Sequence, residues 1–298
     1  GYRQLDGEFW LRNGSELQSW QEQGSVFYRI QGDDALQMQS NELLLDEDGE
    51  KTLQARVKEV NRAEKFAVLQ TVKDYTHPKN SVFGITARNW GQNYALNLLM
   101  DPEIDLVTLL GQAGTGKTLL TLASALTQVL DQQRYSEIIM TRVTVPLGND
   151  IGFLPGTEEE KMNPWMGALE DNLEVLTHSD DMGGDWARAA THDMVASKIK
   201  IKSINFMRGR TFQHKFLIID EAQNLTSKQM KTMITRAGEG TKIVCMGNLA
   251  QIDTPYLSEG SSGLTYLVDR FKNWPHFGHI TMQHGERSRL AAHAVAVL

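Results

Sequence analysis

The sequence predicts an α/β fold, a mainly parallel sheet flanked by helices and preceded by a small β-rich module. Three observations carry this. A mostly apolar run, Ile104–Leu110, leads into the glycine-rich stretch Gly111–Thr118 (GQAGTGKT) and then into a second apolar, helix-favouring run, Leu119–Leu130. Phe216–Ile219 and Lys242–Met246 are further short apolar runs, of the kind that parallel strands covered on both faces require. The first part of the chain instead carries short β-prone runs separated by Gly, Asn and Ser turns. The expected division is residues 1–75 and 76–298, with the boundary between Val60 and Asn80.

Composition limits the function classes. Hydrophobic residues make up 41% and charged residues 22% of 298, as in ordinary globular proteins. A formal net charge of −7 argues against a protein that coats nucleic acid, while leaving room for a local basic groove. The single cysteine, Cys245, lies in an apolar run and reads as a buried small hydrophobe, which fits a reducing compartment, most simply the cytoplasm. No run reaches the roughly 18 apolar residues of a membrane span. The chain begins at Gly1 and not at methionine, so it reads as a fragment whose upstream domain is expected elsewhere.

In the first module, Phe9–Arg12, Ser25–Ile30, Asn41–Leu45 and Thr52–Val57 are the expected strands, with a turn over Asp46–Gly49. No catalytic cluster is visible there, so packing or partner contact is the expected role. From Phe83 to Ala95 an extended start leads to Asn89 and Gln92, then to a helix with Tyr94, Leu96 and Leu99 on its apolar face. Gln92 reads either as a solvated helix cap or, because an amide both donates and accepts, as an adenine reader.

The strand–loop–helix setting of Gly111–Thr118 is that of a phosphate-binding loop. Backbone N–H groups of Gly111, Gln112, Ala113, Gly114, Thr115 and Gly116, with the following helix N-terminus, would cradle phosphate oxygens of a nucleotide such as ATP. Lys117 would reach the β- and γ-phosphates, and the Thr118 hydroxyl would ligate Mg²⁺. A second strand, Glu137–Met140, ends at Thr141-Arg142, and a Pro- and Gly-containing loop follows to Pro155. Pro164 suits the first turn of a helix whose Trp165, Leu169, Leu173 and Leu176 form a buried stripe. Acidic residues between Glu158 and Asp185 form a solvated face.

Ser197–Ile204 (SKIKIKSI) alternates and is expected to be a half-exposed strand with Lys198, Lys200 and Lys202 on one side. It is either a phosphate-tracking stripe or a charged edge that resists aggregation. Arg208 and Arg210 flank Gly209 and could meet phosphate, a neighbouring subunit or only solvent. After Phe216–Ile219, Asp220 and Glu221 fall at the carboxyl end of a buried strand, the edge where open α/β sheets bind ligands. Asp220 would hold Mg²⁺ and Glu221 would orient and deprotonate a water. Thr226–Gln229 is a capping box for a helix through Arg236, closed by Gly238. Gly247-Asn248, Gln251 and Asp253 follow the next strand and could sense a γ-phosphate. A last strand, His279–Met282, precedes Arg287 and Arg289; such arginines either accelerate phosphoryl transfer or form surface salt bridges.

Together these stretches resemble the PhoH family of ATPases, single-core relatives of superfamily 1 helicases. The resemblance rests on RNWGQ at Arg88–Gln92, GQAGTGKT, TRVTVPLGNDIGFLPGT at Thr141–Thr157, EEKMNPW at Glu159–Trp165, MRGRTF, FLIIDEAQN, TRAG at Thr235–Gly238 and GNLAQID at Gly247–Asp253. It implies a RecA-like P-loop NTPase core, with Gln92 on adenine, Lys117 and Thr118 on phosphates and Mg²⁺, and Asp220 and Glu221 on metal and water. Gln251 is similar to the helicase glutamine near the γ-phosphate, while Asn248 stands where many relatives carry Asp. Arg236 and Arg287 are the candidate arginine fingers, with Arg142 behind them. The order also resembles longer PhoH proteins in which a PIN nuclease-like domain precedes the ATPase, which would make residues 1–75 a connector. Superfamily 1 helicases close ATP between two cores, and one core here implies a homo-oligomeric ring, a hexamer as the family suggests. The expected function is Mg²⁺-dependent ATP hydrolysis coupled to remodelling of single-stranded RNA or DNA. The alternatives are a P-loop kinase and a nucleotide-gated oligomerisation module.

Overall fold

Two six-stranded sheets organise the computed structural model, which describes residues 2–5, 18–48, 51–143, 163–178, 193–204, 209–283 and 285. The first is built from β1 (Tyr2–Leu5), β2 (Gln18–Glu22), β3 (Ser25–Gln31), β4 (Leu43–Asp48), β5 (Lys51–Asn61) and β6 (Phe66–Thr71), in the order β1-β4-β5-β6-β3-β2. Every pair is antiparallel except β1 with β4. The β2–β3 hairpin closes on Gln23-Gly24, whose φ angles of 49° and 82° match the twist of the flanking strands. A short helix, α1 (Asp33–Leu36), covers one face and buries Ala35 among Ile30, Leu44, Val57 and Leu69.

The expected β4–β5 hairpin is present, but the β pattern does not fade after Val60. Residues Phe66–Thr71 form β6, a central strand with Phe66, Ala67 and Leu69 buried. The run is short and bounded by charged residues, so only its pairing with β3 and β5 makes it a strand. The strand expected at Phe9–Arg12 lies outside the described residues.

The second sheet is wholly parallel, in the order β12-β7-β11-β10-β8-β9. Its strands are β7 (Leu106–Gly111), β8 (Glu137–Arg142), β9 (Ile199–Ile201), β10 (Lys215–Asp220), β11 (Lys242–Gly247) and β12 (Phe277–Met282). Along β10, Phe216 and Ile218 face one core cluster, Leu217 and Ile219 the other, so an apolar run with no polar alternation is buried on both sides. Helices α2 (Trp90–Met100), α3 (Lys117–Leu126) and α4 (Asn163–His178) cover the first face, and α4 buries Leu169, Leu173 and Leu176 as its spacing predicts. On the other face lie α5 (Ser227–Ile234), started by the Thr226–Gln229 capping box, and α6 (Gly263–Phe271). Cys245 is fully buried, and burial pushes its thiol up to about 12, which leaves it unreactive. Among the described residues no helix is long and apolar enough to cross a membrane.

Two elements differ from expectation. Of Ser197–Ile204, only Ile199–Ile201 is strand, and residues 193–198 are helical because Val195 is drawn into the core. Alternation over so short a window does not separate strand from helix. Helix α5 stops at Ile234, with Thr235 as its C-cap bonding back to the Lys231 carbonyl at 2.9 Å, so Arg236 lies past the last turn.

The two sheets are tied by polar contacts. Arg56 of β5 pairs with Asp101 after α2, the Tyr94 hydroxyl donates to the Leu44 carbonyl at 2.8 Å, and Asn41 donates to the Pro275 and Phe277 carbonyls at 2.7 and 2.9 Å. At the same junction Lys242, 1% exposed, caps α2 by donating to the carbonyls of Leu98 (3.2 Å) and Asp101 (2.8 Å). Burial pushes its ammonium down to about 7. The folded state therefore releases this proton near pH 7, while the unfolded chain keeps it to roughly pH 10. The unfolded state binds more protons in between, so stability rises with pH over that window. The urea midpoint should climb between pH 7 and 9, and Lys242→Met should flatten that rise whatever it does to the absolute midpoint.

Candidate active site

All six strands of the second sheet point the same way, so the segments after β7, β8, β10 and β11 emerge at one edge. There a cavity of about 320 Å³ is lined by Gly116, Lys117, Thr118, Arg142, Asp220, Glu221, Asn248 and Gln251, with Leu169 and Asn172 of α4 forming a wall. Residues spread over more than a hundred positions of sequence converge on it.

The loop from β7 to α3 is held open by glycine geometry. Gly116 lies at φ 89° immediately before α3, and a Cβ there would sit 3.1 Å from the Gln92 amide nitrogen. At Gly111 a Cβ would meet the Met282 carbonyl oxygen at 2.7 Å, so only glycine lets β12 pass this close. The Lys117 ammonium folds over the loop and donates to the carbonyls of Gly111 (2.7 Å) and Gln112 (2.9 Å). Burial pushes its pKa down, against the pull of Asp220 and Glu221. Gln92, capped by Asn89, donates from Nε2 to the Thr115 carbonyl (3.2 Å) and accepts from the Arg88 N–H (2.9 Å) at Oε1. Its amide braces the loop, and one N–H and one lone pair remain beyond these bonds.

The carboxylates stand opposite. Asp220 closes β10, and its pKa is raised by burial and by the adjacent Glu221. Glu221 takes the left-handed conformation at φ 52°, an unusual geometry for a residue with a Cβ. Its Oε1 accepts from Arg142 at 3.1 Å and its Oε2 from Gln223 at 2.6 Å. Fully buried Gln223 also donates to the Gln251 carbonyl (2.9 Å) and accepts from the Asn248 N–H (3.2 Å). One amide thus ties Glu221 to the turn after β11. Asn224 adds a second tie by accepting from the N–H groups of Asp253 (2.8 Å) and Thr254 (3.2 Å). Asn248 caps the turn Leu249–Gln251 with its own side chain, a role that needs an acceptor oxygen and no charge.

The predicted residues divide accordingly. Gln92, the loop, Lys117, Thr118, Asp220, Glu221 and Gln251 come together at this edge. Arg236 does not: its carbonyl accepts from the Phe212 N–H, just ahead of β10, which puts it at the opposite end of the sheet. Arg287, Arg208 and the loop 144–162 lie outside the described residues. Arg142, which sequence places behind Arg236 and Arg287, is the arginine lining the cavity among the described residues, because β8 runs in register with β10 and sets Arg142 beside Asp220. Sequence reasoning passed over Gln223; its only signal was a polar residue persisting in a segment otherwise committed to the core.

Comparison with known proteins follows the same residues. The PhoH-like protein family matches residues 84–298. Protein PhoH2 of Bacillus subtilis is 46% identical over 217 residues, covering 73% of this chain and 48% of that protein. Protein PhoH2 of Mycolicibacterium smegmatis is 36% identical over 214 residues, covering 71% and 46%. The chain thus spans about half the length of these curated relatives. Among solved structures, the Pif1 helicase from Candida albicans is similar at 16% identity with a TM-score of 0.35, over 71% of this chain and 43% of that one. Bacteroides Pif1 bound to ssDNA is similar at 13% identity with a TM-score of 0.31, over 71% and 45%. With its phosphate-binding loop and parallel sheet, and with the family matched over most of its length, the chain belongs to the PhoH-like protein family and is a P-loop NTPase.

Proposed function

We propose that this chain is a Mg²⁺-dependent ATPase that couples hydrolysis to remodelling of single-stranded RNA or DNA. The observation that carries it is the meeting of the Lys117–Thr118 loop with Asp220 and Glu221 across one cavity. The donors suit a hard cation: the Thr118 hydroxyl and the Asp220 carboxylate are oxygen ligands, and a divalent ion would offset the burial and Glu221 charge that raise the Asp220 pKa. Bound there, Mg²⁺ would neutralise charge on the β- and γ-phosphate oxygens.

The chain's own groups supply the rest. Lys117 would exchange its two loop carbonyls for phosphate oxygens. Glu221, fixed between Arg142 and Gln223, would orient a water and take its proton at a carboxylate oxygen. Gln223 would report the state of that carboxylate to the Asn248–Gln251 turn.

The reading extends to assembly. One core supplies one wall of the site, and a head-to-tail ring of copies would bring the opposite sheet edge, with Arg236, towards a neighbour's nucleotide. A hexamer, an upstream PIN-type nuclease domain in the full protein, and a cytoplasmic setting consistent with the buried Cys245 thiol belong to the same proposal. The test is ATP turnover with and without single-stranded RNA and DNA, with the mass of the same sample read by light scattering. Stimulation by one nucleic acid and a multimeric mass are expected. Full activity from a monomer would overturn the ring, and unstimulated turnover would overturn the coupling.

A further inference from the structure

Among the described residues, the β9 edge of the parallel sheet carries a groove that shares no lining residue with the nucleotide site. Strand β9 is outermost, and beside it a cavity of about 490 Å³ is lined by Lys200, Lys202, Arg210 and Lys215, with Phe212 among the apolar residues. Against these four cations the lining has, among the described residues, one carboxylate, Glu137. It pairs with Lys200 and, at 2.9 Å, with Lys215. Burial pushes the Glu137 carboxyl up, but hydrogen bonds from the two lysines outweigh this and hold it below the usual carboxylate range. One ionised group is shared by two lysines, so the lining keeps a formal charge of +3 in a chain whose net charge is −7. Lys200 and Lys202 of the SKIKIK stretch supply one wall, and Arg210 and Lys215 supply the other.

The geometry suits a chain of phosphates. Lys200 and Lys202 are two residues apart in extended backbone, roughly 6.6 Å along the edge, a stride close to one nucleotide of a stretched single strand. Phe212 is only 5% exposed, so its ring is not offered for base stacking. Contacts of this kind hold backbone and carry no sequence information. Glu137 and Lys215 open β8 and β10, while Lys202 lies one step past the Met140–Ile201 pair, so the groove runs along the outer strands and shares no lining residue with the nucleotide cavity.

We propose that this groove binds the phosphodiester backbone of single-stranded nucleic acid irrespective of sequence. It rests on the reading above for the class of partner only. The test is fluorescence anisotropy of labelled oligouridylate and oligothymidylate across a salt series, with wild type, Lys202→Gln/Arg210→Gln and Glu137→Gln. The double variant should bind at least about tenfold more weakly near 0.15 M salt, and its log–log salt slope should be shallower by about 1.4, roughly 0.7 per lost contact. Its ATP turnover without nucleic acid should be unchanged. Glu137→Gln should bind more tightly, a gain that a damaged fold does not produce. Wild-type affinity and slope in both variants would overturn the groove while leaving nucleic-acid coupling to other residues. Capture of poly-glutamate with no oligonucleotide binding would overturn it in favour of an acidic polypeptide. Oligonucleotide binding lost in the double variant, in a protein that never hydrolyses ATP, would uphold the groove and sink the hydrolytic reading.

Discussion

Glu221→Gln should lower ATP turnover by about 10²–10⁴-fold while nucleotide still binds. The substitution keeps the side chain's shape and removes its capacity to take a proton. It also disturbs a polarised arrangement. Glu221 now accepts from Arg142 on one oxygen and from Gln223 on the other. A glutamine has one acceptor oxygen, and Gln223 cannot turn its amide to meet the new N–H₂ without losing both the Asn248 and Gln251 bonds. The variant's oxygen is therefore expected to stay with Gln223, and its N–H₂ to face Arg142, breaking the ion pair. Phosphate release and equilibrium binding of a fluorescent nucleotide separate the two effects. Normal turnover in the variant would remove Glu221 as the base.

Arg142 and Arg236 show why part of this site was legible in the sequence and part was not. The loop, Lys117, Asp220 and Glu221 declare themselves because each is local: glycines before a helix, or acids directly after a buried apolar run. Arg142 is equally close to its strand, but its value depends on β8 lying in register beside β10, and no local pattern encodes which strands are neighbours. Arg236 fails for the converse reason. It follows α5, and eight helical residues carry the chain about 12 Å back along the sheet, away from the edge where the helix began. Its sequence distance from Glu221 is short and its position is remote. Gln223 was invisible because its role is a meeting of two loops, and β6 because a short run flanked by charges becomes a strand only through its partners. The lysines of Ser197–Ile204 were read with both of their meanings open. The structure pairs Lys200 with Glu137, and anion attraction by this strand belongs to the groove proposal.

Lys117→Ala should abolish measurable nucleotide binding at ordinary assay concentrations. The Lys117 ammonium is the one cation carried by the phosphate-binding loop, and burial already disfavours its charge. That cost is offset in the protein by Asp220 and Glu221 and by the carbonyls of Gly111 and Gln112. A phosphate oxygen replaces a neutral acceptor with a charged one, and each such hydrogen bond contributes about 1.5–3 kcal/mol. Losing even one weakens affinity by roughly 10–150-fold, and the loop's lysine can make more than one. The alanine variant should keep its fold, because the loop is braced without Lys117: the Gln92 amide donates to the Thr115 carbonyl and the Thr115 hydroxyl to the Gln112 carbonyl. Its melting temperature without nucleotide should stay close to wild type, while the upward shift that ATP and Mg²⁺ give the wild type should vanish. Lys117→Arg is the sharper comparison, because it preserves charge while a planar guanidinium cannot follow the ammonium into the loop. If Lys117→Arg binds ATP as wild type does, charge alone is sufficient and the fitted contact to Gly111 and Gln112 has no part in recognition. If Lys117→Ala binds as tightly as wild type, this loop is not where the phosphates sit.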